Sequence, residues 1–173
     1  MLVTGNPFAD KHLSAMEIGD SYKSMTLSYY CTLYECHRLW SPNETSYIVR
    51  VGRLDLLKYA YEHGCPWHVK TTSIAAFNGS LDCLRYAHEN GCPWDVETCS
   101  NAASANQVEC LRYAHQNGCL WDAKTCYTAI KNGSMKCVEY AHQHGYSTMF
   151  PGSDARDISP ACYTFLHQHN LIY

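Results

Sequence analysis

An all-α chain that stacks one repeated helix pair into a solenoid is the fold this sequence predicts, and three observations predict it. All four tryptophans, Trp40, Trp67, Trp94 and Trp121, stand 27 residues apart. The surrounding text repeats with them: Gly52-Arg-Leu-Asp-Leu-Leu-Lys-Tyr-Ala-Tyr-Glu-His-Gly-Cys-Pro-Trp67 recurs as Gly79-Ser-Leu-Asp-Cys-Leu-Arg-Tyr-Ala-His-Glu-Asn-Gly-Cys-Pro-Trp94, then from Asn106 to Trp121, and in part from Gly133 to Gly145. Within each unit the apolar positions fall at helical spacing, and a Gly stands where the helix must stop. A fixed period of this kind marks units that bury their apolar faces against one another.

Taken in order, residues 1–24 lie ahead of the clear repeat and read as a capping or partly ordered N-terminal segment. Lys11 to Gly19 reads as a worn first helix, because Ala15 and Gly19 are placed as Ala75 and Gly79 are. The repeat domain covers 25–173, in units of about 25–51, 52–78, 79–105, 106–132 and 133–173, or about five helix pairs. Its first stretch, Leu27 to Trp40, keeps the register through Leu27, Glu35 and Trp40 alone. At the other end, Cys162 to Tyr173 matches Cys110 to Trp121, so the chain closes on a truncated unit. Atypical end units are expected, since a terminal face has no neighbour to cover it.

Each unit holds two short helices, A and B. Helix B, about Leu81 to Asn90, sets Leu81, Leu84 and Ala87 on one face with Cys83 and Tyr86 beside them. Gly91 takes the position after its end and Pro93 follows, a stop signal because Pro cannot continue a helix; Gly64, Gly118 and Gly145 match it. Helix A starts most clearly at Ser41-Pro42-Asn43-Glu44, which has the spacing of a capping box with Pro at the first helical position. Asp95 and Asp122 hold the corresponding cap sites, and Asn78-Gly79 and Asn132-Gly133 close the A helices. Opposite charges three apart on helix B, Asp55 with Lys58, Asp82 with Arg85, Glu109 with Arg112 and the reversed Lys136 with Glu139, are expected to touch.

These residues resemble the ankyrin repeat. Gly79 to Cys92 is similar to the second ankyrin helix with its closing Gly-Ala, and Thr71-Thr-Ser-Ile-Ala75-Ala76-Phe-Asn-Gly79 resembles the ankyrin Thr-Pro-Leu-His-x-Ala-Ala-x-x-Gly, one residue shorter. The unit of 27 residues departs from the usual length of roughly 33. Most of the missing residues lie between helix B and the next helix A, so the resemblance implies β-hairpin fingers that are reduced or absent. Short units of this Asn-Gly-Cys-Pro-Trp-Asp type are similar to those of giant-virus and protist ankyrin repeat proteins. The resemblance implies binding of a protein partner and names none; fold alone does not assign function.

Composition narrows the function classes. Thirteen Lys and Arg against sixteen Asp and Glu, a net charge of −3, lack the basic surplus that neutralises phosphates, so no nucleic-acid partner is expected. No apolar run is long enough to cross a bilayer, and Met1 to Asp20 lacks the basic start and apolar core of a secretory signal. An odd count of 11 cysteines cannot pair completely within one chain, which points to a reducing cytosol, a host cytosol where the viral resemblance applies.

The Cys and His residues fall in columns of the repeat: Cys83, Cys110, Cys137 and Cys162 on helix B, Cys65, Cys92 and Cys119 in the turn, Cys99 and Cys126 on helix A, with Cys31 and Cys36 outside. Stacked helices lie about 8–10 Å apart, so members of one column cannot share a zinc ion with ligands at roughly 2.0–2.3 Å. No Cys-x-x-Cys occurs, and these thiols read as small core residues. No metal or cofactor is expected, although a Cys/His-rich metal-binding or redox protein is the alternative. The column His88, His115, His142 and His167 has Tyr61 in an earlier unit, which suits packing and not ligation. Neither Gly-x-Ser-x-Gly nor a phosphate-binding Gly-rich loop is present, and no enzyme is expected. The Trp column reads as packing between units.

Helix A has one face that scarcely changes, Thr72, Ala75, Ala76; Cys99, Ala102, Ala103; Cys126, Ala129, Ile130, and one that varies freely. The varying face comprises Asn43, Tyr47 and Arg50; Lys70, Ile74 and Phe77; Glu97, Asn101 and Ser104; Lys124, Thr128 and Lys131. Packing constrains the first and leaves the second, which drifts or serves recognition. As a recognition surface it would bind a protein partner to a monomer, with Tyr47, Ile74 and Phe77 expected as an exposed apolar anchor flanked by Arg50 and Lys70.

Overall fold

The protein is seen in a computed structural model that describes residues 23, 24, 26, 40, 43–95, 97–145 and 158–169, the side chains of Ala123 and Lys124 excepted. Residues 1–22 of the N-terminal segment, with the worn helix Lys11 to Gly19, the degenerate stretch before Trp40, the Ser41-Pro42 half of the capping box and residues 146–157 and 170–173 lie outside them. Among the described residues every regular element is a helix and no strand occurs: α1 Glu44–Val51, α2 Leu54–Glu62, α3 Thr71–Phe77, α4 Leu81–Glu89, α5 Thr98–Ser104, α6 Val108–Gln116, α7 Ala123–Lys131, α8 Met135–Gln143 and α9 Pro160–Gln168. The fold is all-α, as its periodicity predicts.

The helices pack in two rows. The A helices α1, α3, α5 and α7 touch in series, the B helices α2, α4, α6 and α8 touch in series, and α9 adds to α8. Each A helix also packs on the B helix that follows it in the chain. Sequence explains both rows. In α4 the fully buried residues are Cys83, Leu84 and Ala87, repeated as Cys110, Leu111 and Ala114 in α6 and as Cys137, Val138 and Ala141 in α8. Leu81 is only half-buried, so the inner face is centred on Cys83 and Leu84, a shift from the Leu81-Leu84-Ala87 stripe. The A row buries small residues, Ala75, Ala76, Ala102, Ala103 and Ala129, which let neighbouring helices approach closely.

Helix ends follow local chemistry. Asp122 caps α7, its carboxylate accepting from the Thr125 amide at 2.8 Å and from the Thr125 hydroxyl at 2.9 Å. Asp95 instead accepts the Glu97 amide at 2.8 Å, inside the turn that leads to α5. α1 begins at Glu44 with Asn43 at the N-cap, two residues later than the capping-box spacing places it. Between α5 and α6 the left-handed backbone falls on Asn106, φ 55°, where the other units have Gly52, Gly79 and Gly133. Asparagine is among the few side chains that tolerate this conformation.

The expected charge pairs are corrected in part. Arg112 and Glu109 lie 3.6 Å apart, but Asp55 pairs with Arg53 at 2.6 Å. The basic members Lys58, Arg85 and Arg112 lie 5.7, 5.3 and 5.8 Å from the ring centres of Tyr86, Tyr113 and Tyr140 on the next B helix. Each of these cations has a ring of the next unit within reach, and Arg112 has its carboxylate neighbour as well; cation–π contact favours that position.

Candidate functional site

The site is the outer side of the A row, and polar columns between successive A helices set its geometry. Thr45 and Thr71 place their hydroxyl oxygens 2.9 Å apart, and Thr72 and Thr98 repeat the contact at 3.1 Å. Thr72 also donates to the Pro93 carbonyl at 3.2 Å and accepts from the Asp95 amide at 3.1 Å. One buried side chain thereby ties α3 to the turn and helix of the next unit. Ser73 adds a bond to the Asp95 carboxylate at 3.0 Å. These hydroxyls were legible as columns, since Thr45 and Thr72, and Ser46, Ser73 and Ser100, recur at the period of 27; helical spacing alone treats them as neutral filler.

Thr72→Val, which keeps the shape and deletes the hydroxyl, is expected to cost about 1–3 kcal/mol because partly buried backbone groups lose their partner. Urea unfolding monitored by circular dichroism checks this against Thr72→Ser, which keeps the oxygen and should cost about 1 kcal/mol for its lost methyl. Equal midpoints for Val and the unchanged chain would remove the hydroxyl column from the account.

A second column latches the B row. The indole N–H groups of Trp40, Trp67 and Trp94 donate to the carbonyls of His63, Asn90 and Asn117 at 2.9, 3.1 and 3.0 Å, each the residue that ends the following B helix. The Trp column thus joins units, as its period predicts, through half-buried rings. Trp121 departs from the pattern and donates to Cys126 Sγ at 3.0 Å. Tyr61 and His88 stack on Trp67 and Trp94 with ring centres 4.7 and 4.2 Å apart, and His115 meets Trp121 edge-on at 5.5 Å. The imidazole column is a column of ring contacts, stacked at Tyr61 and His88 and edge-on at His115, which explains why Tyr61 can stand in it.

On this frame the invariant A face, from Thr72 and Ala75 to Ala129 and Ile130, is buried throughout. Of the varying face, Asn43, Arg50, Lys70, Phe77, Glu97 and Lys131 are exposed, and Asn101, Ser104 and Thr128 are half-buried. Ser104 also serves the frame, its carbonyl 3.4 Å from both the Asn132 amide nitrogen and the Ser134 hydroxyl. The side chain of Lys124 lies outside the described residues. The expected apolar anchor is corrected: Phe77 is 50% exposed, whereas Tyr47 and Ile74 are half-buried and pack against the core.

All nine described cysteines are buried. Burial pushes the thiols of Cys65, Cys83 and Cys137 up to about 12 and those of Cys92 and Cys110 up to about 11, so none of these five is a ready nucleophile. Among the described residues no group of three or more His, Cys, Asp or Glu side chains converges as a metal site. Two columns do meet at one point, Cys99 Sγ and Cys119 Sγ, 2.9 Å apart.

Fold and surface together define an all-α protein of paired helices in two rows, with no described helix long and apolar enough to cross a membrane. Compared with protein-family models, curated proteins and solved structures, the chain matches none.

Proposed function

We propose that this chain is a short-unit, ankyrin-like solenoid that acts as a non-enzymatic interaction module, a cytosolic monomer binding a protein partner through the outer side of its A row. The observation that supports this reading most is the division of the A helices: the invariant face is wholly buried, and Arg50, Lys70, Phe77, Glu97 and Lys131 stand exposed on the other. Repetition without variation is what packing demands, so variation confined to one outward stripe is available for recognition. Its exposed charges are mostly basic although the chain carries −3 overall, which favours a partner with an acidic surface around an apolar recess for Phe77.

The test is affinity capture from source-cell lysate followed by titration of the purified partner. Phe77→Ser with Lys70→Glu should leave the melting temperature within a few degrees, both side chains being exposed, and weaken binding at least tenfold, about 1.4 kcal/mol. Ile74→Ser does not isolate recognition, because the half-buried Ile74 also contributes to the core. Unchanged affinity in the double variant, or a partner that proves to be nucleic acid, would overturn the proposal.

A further inference from the structure

Only once does a cysteine of the helix A column have a cysteine at the turn position 20 residues further on. On the A helix the column runs Thr45, Thr72, Cys99, Cys126, and in the turn after the B helix it runs Cys65, Cys92, Cys119, then Tyr146. Where Thr72 stands, its hydroxyl engages the Pro93 carbonyl and the Asp95 amide. Where Cys99 stands, the thiol meets Cys119 Sγ at 2.9 Å, short for two unbonded sulfurs and within easy travel of a bond of about 2.05 Å. Cys119 keeps the pose of its column: its sulfur lies 3.8 Å from the Leu120 carbonyl, as Cys65 and Cys92 lie 3.7 and 3.8 Å from those of Pro66 and Pro93. The scaffold therefore presents the turn thiol, and the single change from Thr to Cys on α5 supplies its partner.

We propose that Cys99 and Cys119 form a reversible dithiol site, oxidised by a small-molecule disulfide such as glutathione disulfide to a cross-link between α5 and the turn after α6. Exposure assigns the roles: Cys119 is 5% exposed and Cys99 fully buried, so Cys119 is the thiol an oxidant reaches first. The hydrogen bond from the Cys99 thiol holds Cys119 below its ordinary range against the upward push of burial, which favours the Cys119 thiolate. That thiolate attacks one sulfur of glutathione disulfide, forming a mixed disulfide and releasing glutathione thiolate, which takes up a proton. Cys99 then loses its proton to solvent and attacks Cys119 Sγ, forming the Cys99–Cys119 bond and expelling the second glutathione. Two protein thiols are oxidised and one glutathione disulfide is reduced to two glutathione molecules. The cross-link closes a loop between residues 20 apart, enough to constrain the unfolded chain measurably.

The experiment equilibrates the fully reduced, folded chain with a series of glutathione to glutathione-disulfide ratios, quenches with acid and alkylates with N-ethylmaleimide in denaturant. Intact mass and peptide mapping should reveal a species with two fewer maleimide groups than its 11 thiols, linked between Cys99 and Cys119, at ratios that leave the other cysteines alkylated. The oxidised form should melt higher by about 5 °C or more. Cys99→Thr installs the residue that Thr45 and Thr72 provide in the preceding units, so it is expected to fold, to form no cross-link and to retain glutathione on Cys119. Full alkylation of both thiols at every ratio, or cross-links spread over other pairs in the folded chain, would overturn the proposal. So would a cross-link persisting in the Cys99→Thr variant.

Discussion

Leu84→Ala is expected to destabilise the protein by about 3–5 kcal/mol and to lower its melting temperature by roughly 10 °C. Leu84 is fully buried at the middle of α4, which packs against α2, α3 and α6. Three helices frame the space that its removed atoms leave, and none can close it without losing contacts of its own. The lost transfer free energy and the residual cavity therefore add. Thermal and urea unfolding followed by circular dichroism measure the effect, with Leu120→Ser as the control. Leu120 is 88% exposed in the turn after α6 and should change stability by less than about 0.5 kcal/mol. A small effect at Leu84 would mean that the two rows do not share a close-packed core.

The second large effect belongs to Trp94. Its ring is half-buried, stacks on His88 at 4.2 Å and presents its N–H to the Asn117 carbonyl at 3.0 Å, so Trp94→Ala removes packing, a ring stack and an inter-unit hydrogen bond together. Partial exposure places the cost at about 2–4 kcal/mol, below the 3–5 kcal/mol of a fully buried Trp. Trp94→Phe separates the parts: it keeps an aromatic ring against His88 and gives up the N–H, for about 1 kcal/mol. Equilibrium unfolding of both variants checks the order. If Phe proves as costly as Ala, the hydrogen bond to Asn117 dominates the latch, and if Phe costs nothing, the latch is only a ring contact.

The helices were legible because their signals are local. Gly91 and Pro93 mark a helix end through their own backbone preferences, and Leu81, Leu84 and Ala87 share a stripe whatever lies opposite, although the neighbouring helices turn its Cys83 side inward. Even Tyr61, standing in a His column, was enough to favour packing over ligation, and its stack on Trp67 gives the reason. The A face was legible as a division between constancy and variation. Its apolar anchor was not, because the sequence places Tyr47, Ile74 and Phe77 on one stripe without recording how deep the groove between neighbouring helices runs. Phe77, at the last turn of α3, is 50% exposed, whereas Ile74, one turn earlier, packs against the core.

By itself, then, the sequence determined the helical class, the period and the places where each helix stops, since all of these depend on the backbone within a few residues. Which side chains meet across units was decided only by the tertiary structure. Lys58 stands near its own Asp55 on the helix surface, yet its ammonium lies over Tyr86 of the next helix while Asp55 pairs with Arg53. Cys99 and Cys119 bring two sulfurs together where the equivalent positions set Cys65 beside Thr45 and Cys92 beside Thr72. The physical reason is the same in both cases: a period specifies which residues are equivalent, whereas contact between two columns depends on the rotation and spacing of one unit against the next. Those are set by the summed packing of Ala, Thr and Trp along both rows.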